Sequence, residues 1–211
     1  ENRNTALLTN IRVRNSSTSS RSVNTALNLT NVGMVQASFL ELTGYPTGLK
    51  IQSPDLTNAS NTELENIQIV GETSEETPRN SDTGIKIGAN VALTAQNVII
   101  NDYQVGMDLA YAEQSLIRNT ALLTNIRVRN SSETQRVENV GIYLGSGVAG
   151  TLENCDIRGA FTGIVIATGN QTKLGRNFIK NCGTGIRANG LNPQTIIRKQ
   201  VFSLDPDIFQ Q

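Results

Sequence analysis

The sequence contains no His and no Trp, and aromatic residues make up only 4% of its 211 residues. Without His, the chain lacks the usual general base and the commonest transition-metal ligand. Any catalysis would therefore depend on carboxylates, Lys, Arg or Tyr. A β-sandwich or α/β core ordinarily contains more large aromatic side chains. The shortage of aromatics favours a core built from stacked Ile, Leu and Val.

Net charge, cysteine and long apolar runs are also scarce. The 18 basic and 18 acidic residues give a formal net charge of zero, so we expect no nucleic-acid partner. No apolar run reaches the roughly 18 residues of a membrane-spanning helix, so we expect no membrane insertion. The two cysteines, Cys155 and Cys182, are too few for a disulfide framework. Cys155 takes an inward strand position and is expected to be an inert core thiol.

The chain contains an internal duplication and a shorter repeat. Fifteen residues, RNTALLTNIRVRNSS, begin at Arg3 and again at Arg118. The shorter unit reads L-x-N-x-x-I-x-[N/G/D], a connection, and then G-[ILM]-x-[IL]. Its central apolar position returns every 22 to 31 residues, at Val13, Leu42, Ile69, Ile100, Val128, Ile157 and Ile179. A unit of this length with variable insertions indicates one turn of a solenoid, and about seven turns are present.

Each unit is expected to contain two strands joined by a turn. Apolar and polar residues alternate at 11–14 and 126–129, and in the second strand at 85–87, 142–144 and 164–166. Two residues after the apolar column stand types that tolerate a left-handed backbone, namely Asn15, Gly44, Gly71, Asp102, Asn130, Gly159 and Asn181. A second column opens the second strand with Gly48, Gly84, Gly106, Gly141, Gly163 and Gly185, and with Ala26 as the exception.

A column of Asn is expected to be structural. It contains Asn10, Asn66, Asn97, Asn125 and Asn154. Stacked at a bend, such side chains can bond to neighbouring coils and satisfy turn amides that water does not reach. Phe39 and Arg176 interrupt the column, which predicts irregular bends in coils two and seven.

The unit resembles the parallel β-helix repeat of pectate-lyase-like proteins over roughly residues 5–190. The resemblance implies an all-β fold, a right-handed parallel β-helix of about seven coils in residues 1–190. It does not specify an activity, because that superfamily includes polysaccharide lyases, glycoside hydrolases, uronate epimerases, phage tailspikes and adhesins. The lyase signatures of the family are not matched residue by residue here.

The two ends of the predicted helix differ. Residues 191–211 lose the repeat and are expected to form a C-terminal cap that packs on the last coil. The repeat is already running at Thr5, which leaves no room for an N-terminal cap. We expect either a second copy of the chain or neighbouring coils of a longer chain at that end.

Strand alternation places one row of side chains on the outside of the second strand. It reads Asn28, Lys50, Lys86, Asp108, Tyr143, Val165 and Arg187. Adjacent coils lie about 4.8 Å apart, so Lys86, Asp108 and Tyr143 should be neighbours. In pectate-lyase-like enzymes the corresponding face forms the sugar cleft, and Lys50 would extend it here. The three residues are catalytic candidates, since a Lys can neutralise a uronate while a base removes the adjacent proton. The alternative is a solvated row in which Lys86 and Asp108 offset each other.

A second candidate surface lies outside the first strand. Arg129, Arg158 and Lys180 fall on three consecutive coils, with Glu41 and Asp156 nearby on the same sheet. They could bind the anionic groups of an acidic polysaccharide or contact a subunit, or they could splay into solvent. The acidic loop Glu72, Glu75, Glu76 and Asp82 is a candidate for Ca²⁺, but its spacing matches no calcium loop. We therefore predict no resident metal or other cofactor.

Two functions are compatible with these features. The first is a rigid display, adhesion or carbohydrate-binding module of a larger surface, fibre or tailspike-like protein, extracellular or on a cell or virion surface. The duplication and the missing catalytic set favour it. The second is a carbohydrate-active enzyme, a lyase, hydrolase or epimerase that acts on an acidic polysaccharide. Candidate sugar platforms among the tyrosines are Tyr45, Tyr103, Tyr111 and Tyr143.

Overall fold

The computed structural model describes residues 4–15, 25–53, 59–71, 82–109, 119–130 and 139–190, and the backbone of the strand Val201–Ser203. The fold is all-β, and every pair of neighbouring strands is parallel, as in the predicted β-helix. Within the described ranges no helix is present that could cross a membrane. Seven successive coils stack along the axis, numbered here in chain order.

Each coil contains three strand segments rather than the two expected. The A-strands are β1 Thr5–Thr9, β4 Met34–Ser38, β11 Thr120–Thr124, β14 Ala149–Glu153, β17 Gln171–Leu174 and the first halves of β7 Ser60–Val70 and β9 Val91–Asn101. The B-strands are β2 Arg12–Arg14, β5 Glu41–Thr43, β12 Arg127–Arg129, β15 Asp156–Arg158, β18 Phe178–Lys180 and the second halves of β7 and β9. One further strand of this kind, β20 Val201–Ser203, follows coil 7. The C-strands are β3 Thr25–Thr30, β6 Thr47–Gln52, β8 Thr83–Ile87, β10 Val105–Leu109, β13 Val140–Leu144, β16 Thr162–Ile166 and β19 Thr184–Ala188.

The strands form two sheets around one apolar core. A- and B-strands share a 13-stranded sheet, and C-strands form a 7-stranded sheet. The predicted apolar column is in register from Val13 through Leu42, Ile69, Ile100, Val128 and Ile157 to Ile179. All of its members are buried except Val13, which is partly exposed in coil 1. The core consists mainly of stacked aliphatic side chains, as the composition predicted.

A left-handed residue bends the first sheet between its A- and B-strands. The bend residue has φ between 54° and 57° in coils 1 to 6, at Asn10, Phe39, Asn66, Asn97, Asn125 and Asn154. The prediction of an irregular bend in coil 2 was therefore wrong, because Phe39 adopts the same backbone as the asparagines. In coil 7 the bend does differ, since Arg176 is not left-handed and the buried Asn177 accepts a hydrogen bond from the Cys155 backbone instead.

The bend asparagines face outward, contrary to the prediction that they satisfy amides away from water. Asn97 donates to Asn66 at 3.2 Å and Asn125 donates to Asn97 at 3.3 Å, both at the surface. A different set of asparagines lies inside the β-helix, at the corner that precedes each A-strand. Asn119 and Asn170 are fully buried there and bond to the carbonyls of Gly88 and Gly145. This interior set was not identified from the sequence.

The turn column before the C-strands divides into two kinds of turn. Gly44, Asp102, Gly159 and Asn181 are left-handed, and each is followed by a short connection. Asn15, Gly71 and Asn130 are not left-handed, and each precedes one of the long insertions at 16–24, 72–81 and 131–138. The left-handed backbone therefore occurs where the connection to the C-strand is short. The prediction of a left-handed residue in this column is confirmed at four of the seven positions.

The glycine column exists because of close packing between coils. A Cβ on Gly141 would lie 2.5 Å from both the Gly163 carbonyl oxygen and the Ile157 side chain. The same contacts recur at Gly48, Gly84, Gly106 and Gly163. At the C-terminal end, the strand Val201–Ser203 pairs with Phe178–Lys180 and so continues the first sheet. The rest of the predicted cap lies outside the described residues.

Candidate functional site

The outward row of the C-strands is in the predicted register. Lys50 lies opposite Lys86, Lys86 opposite Asp108, and Asp108 opposite Tyr143. Lys86 is exposed, whereas Lys50, Asp108 and Tyr143 are half-buried. The row ends differently from the prediction, because Val165 is buried although it occupies an outward position. The structure therefore brings together all four predicted residues of this row.

Asp108 has the most perturbed environment in the row. Burial raises the pKa of its carboxyl group, and the charge of Lys86 opposes this rise only in part. One of its oxygens, Oδ1, is buried and accepts no hydrogen bond from the described residues. Asp108 and Lys86 form no direct ion pair in the described part of the chain. The charge of Lys86 therefore acts on the Asp108 carboxyl group only through space. A carboxyl group whose pKa is raised by burial gives up its proton less readily than an exposed one, which is a common feature of functional acids.

The predicted cationic strip on the B-strands is also in register, since Arg129 pairs with Arg158 and Arg158 with Lys180. Asp156 neutralises part of it. Arg158 donates two hydrogen bonds to the Asp156 carboxylate, at 2.7 and 2.6 Å, and Arg129 lies 3.7 Å from it. Burial disfavours the charged form of Asp156, but Arg158, Arg129 and Lys180 together hold its pKa below the ordinary range.

The two copies of the duplicated segment present the same arginines to different acids. In copy one, Arg12 and Arg14 each lie 2.6 Å from Glu41 of the next coil, and the pKa of Glu41 is lowered, mainly by the Arg14 hydrogen bond. In copy two, Arg127 is in register with Asp156. Asp156 has a shorter side chain and is held by Arg158 of its own strand. Arg127 is exposed and forms no ion pair with any residue that the structure describes.

A groove of about 650 Å³ runs along the outside of the bend in the first sheet. Its residues are Asn66, Ile67, Gln68, Asn97, Ile99, Asn125, Arg127, Asn154, Asp156 and Phe178. We call it the bend groove. The side-chain amides of the bend asparagines form one side of the groove, and we call this row the amide ladder. Outward B-strand residues of coils 3 to 7 form the other side. The amides, one guanidinium and one carboxylate supply many donors and acceptors along its length.

Phe178 gives the bend groove an aromatic surface in coil 7. The ring is half-buried, with the Arg176 guanidinium 5.2 Å and the Lys180 amine 5.9 Å from its centre. These cation–π contacts hold the ring and keep two further positive charges near the groove. Arg129, Arg158 and Lys180 follow along the same strands. The bend groove was not identified from the sequence, although the apolar Ile99 and Phe178 at outward positions of one strand row were a signal.

Several other predicted groups have been placed or lie outside the described residues. Tyr103 is not a sugar platform, because its ring is buried in the core and its hydroxyl donates to the Tyr45 carbonyl at 3.0 Å. Tyr111, Glu72, Glu75 and Glu76 lie outside the described residues. Cys155 and Cys182 are free, and burial raises the pKa of the Cys155 thiol to about 12.

The described residues contain no group of three or more His, Cys, Asp or Glu side chains that could hold a metal ion. No protein-family model matches the chain, and neither a curated protein nor a solved structure shows detectable similarity to it. The functional assignment therefore depends on the geometry of the two surfaces just described.

Proposed function

We propose that this protein is a carbohydrate-binding module that holds an acidic polysaccharide in the bend groove. The observation that carries the proposal is the exposed Arg127 in the same groove as the hydrogen-bonded surface amides of coils 3 to 5. Guanidinium groups bind carboxylate or sulfate oxygens in pairs, and amides donate to and accept from hydroxyls. A saccharide chain that carries acidic groups offers both kinds of partner.

The direction and repeat of the bend groove fit an extended polymer. The ladder runs along the solenoid axis, so equivalent amides recur once per coil, about every 4.8 Å. An extended polysaccharide repeats its hydroxyl groups once per sugar ring, which is a similar length. The half-buried Phe178 ring holds Arg176 and Lys180 beside the coil 7 end of the groove, where they add positive charge. Arg129, Arg158 and Lys180 supply positive charge along the same strands.

A rigid scaffold suits display and adhesion. The coils bury a continuous aliphatic core, and the groove residues are attached to paired strands rather than to loops. A module of this kind would act on a cell or virion surface, or in the extracellular space, where acidic polysaccharides are exposed. The resemblance to pectate-lyase-like repeats supports the same role, since adhesins and tailspikes share that architecture.

A binding assay with matched variants tests this function. The chain is titrated with polygalacturonate, alginate and a sulfated glycan, with neutral dextran for comparison. Arg127→Gln should weaken binding of the acidic polymers about tenfold, as expected for one lost charged hydrogen-bond pair. Lys86→Gln removes one exposed positive charge from the other sheet and should leave binding within about twofold. Equal binding of dextran, or no loss in Arg127→Gln, would contradict the proposal.

The position of the binding site can also be tested by lengthening one acid. Asp156→Glu should let the carboxylate reach Arg127 and Arg129, as Glu41 reaches Arg12 and Arg14 in copy one. Affinity for the acidic polymers should then fall about threefold, which corresponds to less than 1 kcal/mol. Glu41→Asp is the matched control in copy one, away from the bend groove. An affinity for the acidic polymers that rises in Asp156→Glu would contradict a contact between Arg127 and the ligand.

A second function is an enzyme that acts on the same class of polymer. It is favoured by the raised pKa of Asp108 between Lys86 and Tyr143. In this role Asp108 would exchange a proton with the substrate while Lys86 binds its carboxylate. Incubation with the acidic polymers, followed by assays for new unsaturated or reducing ends, tests it. Activity that disappears in Asp108→Asn would establish the enzyme, and absence of product from every polymer would exclude it for that panel.

A further inference from the structure

The bend groove changes in charge along its length. The described lining residues that belong to coils 3 and 4 are all uncharged, and they are Asn66, Ile67, Gln68, Asn97 and Ile99. We call this part the neutral half. The lining residues of coils 5 to 7, which we call the charged half, are Asn125, Arg127, Asn154, Asp156 and Phe178. An extended ligand in the groove would therefore meet two different environments.

Positive charge is concentrated beside the charged half. Outward side chains that flank its lining residues include Arg129, Arg158, Arg176 and Lys180. Together with Arg127 these are five cations, against the two carboxylates of Asp156 and Glu153. The B-strand positions of the neutral half in the same row are Val70 and Asn101. Glu65 is exposed directly before the coil 3 bend residue, so an anion over the neutral half would lie near a carboxylate.

The charge of Arg127 acts only weakly on the far end of the neutral half. Arg127 is in register with Ile99 of coil 4, and Ile99 is in register with Gln68 of coil 3. Adjacent coils lie about 4.8 Å apart, so Gln68 and Arg127 are separated by roughly 10 Å. This distance exceeds the Debye length of about 8 Å at physiological ionic strength. A carboxylate over coil 4 would meet the half-buried, apolar Ile99, which offers it no hydrogen bond.

The neutral half is supplied with amides instead of charges. Asn97 donates to Asn66 and accepts from Asn125, so its amide keeps a second N–H and a second lone pair for a ligand. Gln68 adds an exposed amide on the B-strand side of the groove. Sugar hydroxyl and acetamido groups also donate and accept hydrogen bonds without carrying charge. Neutral sugars therefore match this half better than uronates do.

We propose that the neutral half of the bend groove binds neutral sugars that adjoin an acidic sugar held by Arg127. This inference rests on the proposed function, and it narrows the ligand to polysaccharides in which acidic sugars are joined to neutral ones. The neutral half spans two coils, roughly 10 Å, which accommodates about two sugar rings. A polymer of acidic sugars alone would bind along the charged half and would gain nothing from Gln68.

Three trisaccharides with zero, one and three acidic sugars test this division by calorimetric titration. They are xylotriose, glucuronosyl-xylobiose and trigalacturonate. Arg127→Gln should weaken both acidic trisaccharides about tenfold, which would bring glucuronosyl-xylobiose down to the affinity of xylotriose. Gln68→Ala should weaken glucuronosyl-xylobiose about threefold, because one neutral hydrogen bond is lost, and should leave trigalacturonate within about twofold. Gln36→Ala is the matched control, since it removes an exposed A-strand amide outside the groove and should change neither affinity.

A variant that adds charge tests the same division in the opposite direction. Gln68→Lys places a cation over coil 3, so hexagalacturonate, which is long enough to span the groove, should bind about threefold more tightly. Asn28→Lys adds the same charge at an exposed position of the other sheet and should leave this affinity within about twofold.

Three results would overturn this inference and leave the proposed function intact. The first is loss of glucuronosyl-xylobiose binding in Arg127→Gln with no loss in Gln68→Ala. The second is an equal loss of trigalacturonate and glucuronosyl-xylobiose binding in Gln68→Ala, and the third is no gain of hexagalacturonate binding in Gln68→Lys. Failure of the proposed function is distinguishable from these, because Arg127→Gln would then leave the affinity of both acidic trisaccharides unchanged.

Discussion

Coils 1 and 5 carry the same residues in different surroundings, and this comparison separates what the repeat encodes from what its neighbours add. Residues 4–15 and 119–130 are identical and form the same strands with the same bend. Leu123 and Ile126 are nevertheless buried, whereas Leu8 and Ile11 are partly exposed. The sequence of one coil therefore determines its path, and the coil before it completes the burial, as in other solenoids.

The two copies also differ in the ion pairs that their identical arginines form on the outer surface. Both copies place an arginine pair beside an acid of the following coil. Glu41 reaches both arginines of copy one, but Asp156 is engaged by Arg158 and leaves Arg127 available. Two differences in the following coil account for this, because copy two has the shorter Asp156 in place of Glu41 and has Arg158 where copy one has Thr43. The duplicated arginines therefore have different partners in the two copies.

The largest expected difference between the two coils is at the glycine column. Gly141→Ala should destabilise the chain by about 3 kcal/mol, because the new Cβ would overlap the Gly163 carbonyl oxygen and Ile157. Ala26 holds the equivalent position in coil 1, so Ala26→Gly should cost only about 0.5 to 1 kcal/mol. Urea denaturation of both variants measures the difference. A loss in Gly141→Ala no larger than the loss in Ala26→Gly would show that the close approach of Gly163 and Ile157 does not determine the residue at this position.

A pair of leucines tests the burial difference directly. Leu123→Ala should destabilise by about 3 kcal/mol, since the side chain is buried between two coils. Leu8→Ala removes the same atoms from the same sequence but should cost only about 1 kcal/mol, because part of the side chain is already exposed. Thermal or urea unfolding gives both values. If the two losses were equal, something would cover coil 1 in solution.

Much of the fold could be predicted because the repeat fixes columns. The spacing of Val13, Leu42 and Ile69 was sufficient to predict their stacking, and strand alternation predicted the outward rows. The A-strands were missed because their outward positions include exposed apolar residues such as Leu7 and Leu122, which obscure the alternation. The direction of the bend asparagines could not be predicted either, since the side of the sheet faced by a left-handed residue depends on three-dimensional geometry.

The sequence predicted which residues of the candidate sites are neighbours, but not how buried they are or what grooves they form. The neighbours Lys86, Asp108 and Tyr143 followed from register alone. The burial of Asp108 did not, because strand alternation gives the side of the sheet on which a residue lies and not how far its neighbours cover it. The bend groove arises where two strand rows meet at an angle, and no single strand contains it. Whether Asp156 selects Arg127 or Arg158 depends on side-chain reach, which spacing does not specify.

The acids of the two surfaces should respond to pH with opposite signs. The folded pKa of Asp156 is lowered, so its contribution to stability is present above its ordinary value of 3.8 and is lost as the pH falls through the folded value. Asp156→Asn should therefore destabilise copy two at pH 7, by no more than about 1 kcal/mol because the pair is partly solvated. The loss should shrink in acid, as measured by melting temperature across pH.

Asp108→Asn provides the opposite-sign control. The folded pKa of Asp108 is raised, so its contribution is present below the ordinary value of 3.8 and is lost as the pH rises through the folded value. The variant should be neutral near pH 3 and should raise the melting temperature near pH 7. A melting temperature that rises in Asp156→Asn, or falls in Asp108→Asn, at neutral pH would contradict the environments assigned to these acids.

The smallest expected effect concerns the bend residue between the two copies. Phe39 has φ of 55° and a ring that is 57% exposed, so it bears the steric cost of a left-handed backbone and gains little from burial. Phe39→Asn should relieve that cost and place an amide next to Asn10 and Asn66, and we expect a stabilisation of about 0.5 kcal/mol.

The reverse change tests the same balance where the amide ladder is continuous. Asn125→Phe should cost about 1 kcal/mol, because it removes the hydrogen bond to Asn97 and puts a bulky residue into the same backbone state. Urea midpoints of the two variants measure both changes. If Phe39→Asn destabilised the chain, contacts of the Phe39 ring would outweigh the backbone cost, and the ladder would not explain why Asn fills this column in both copies.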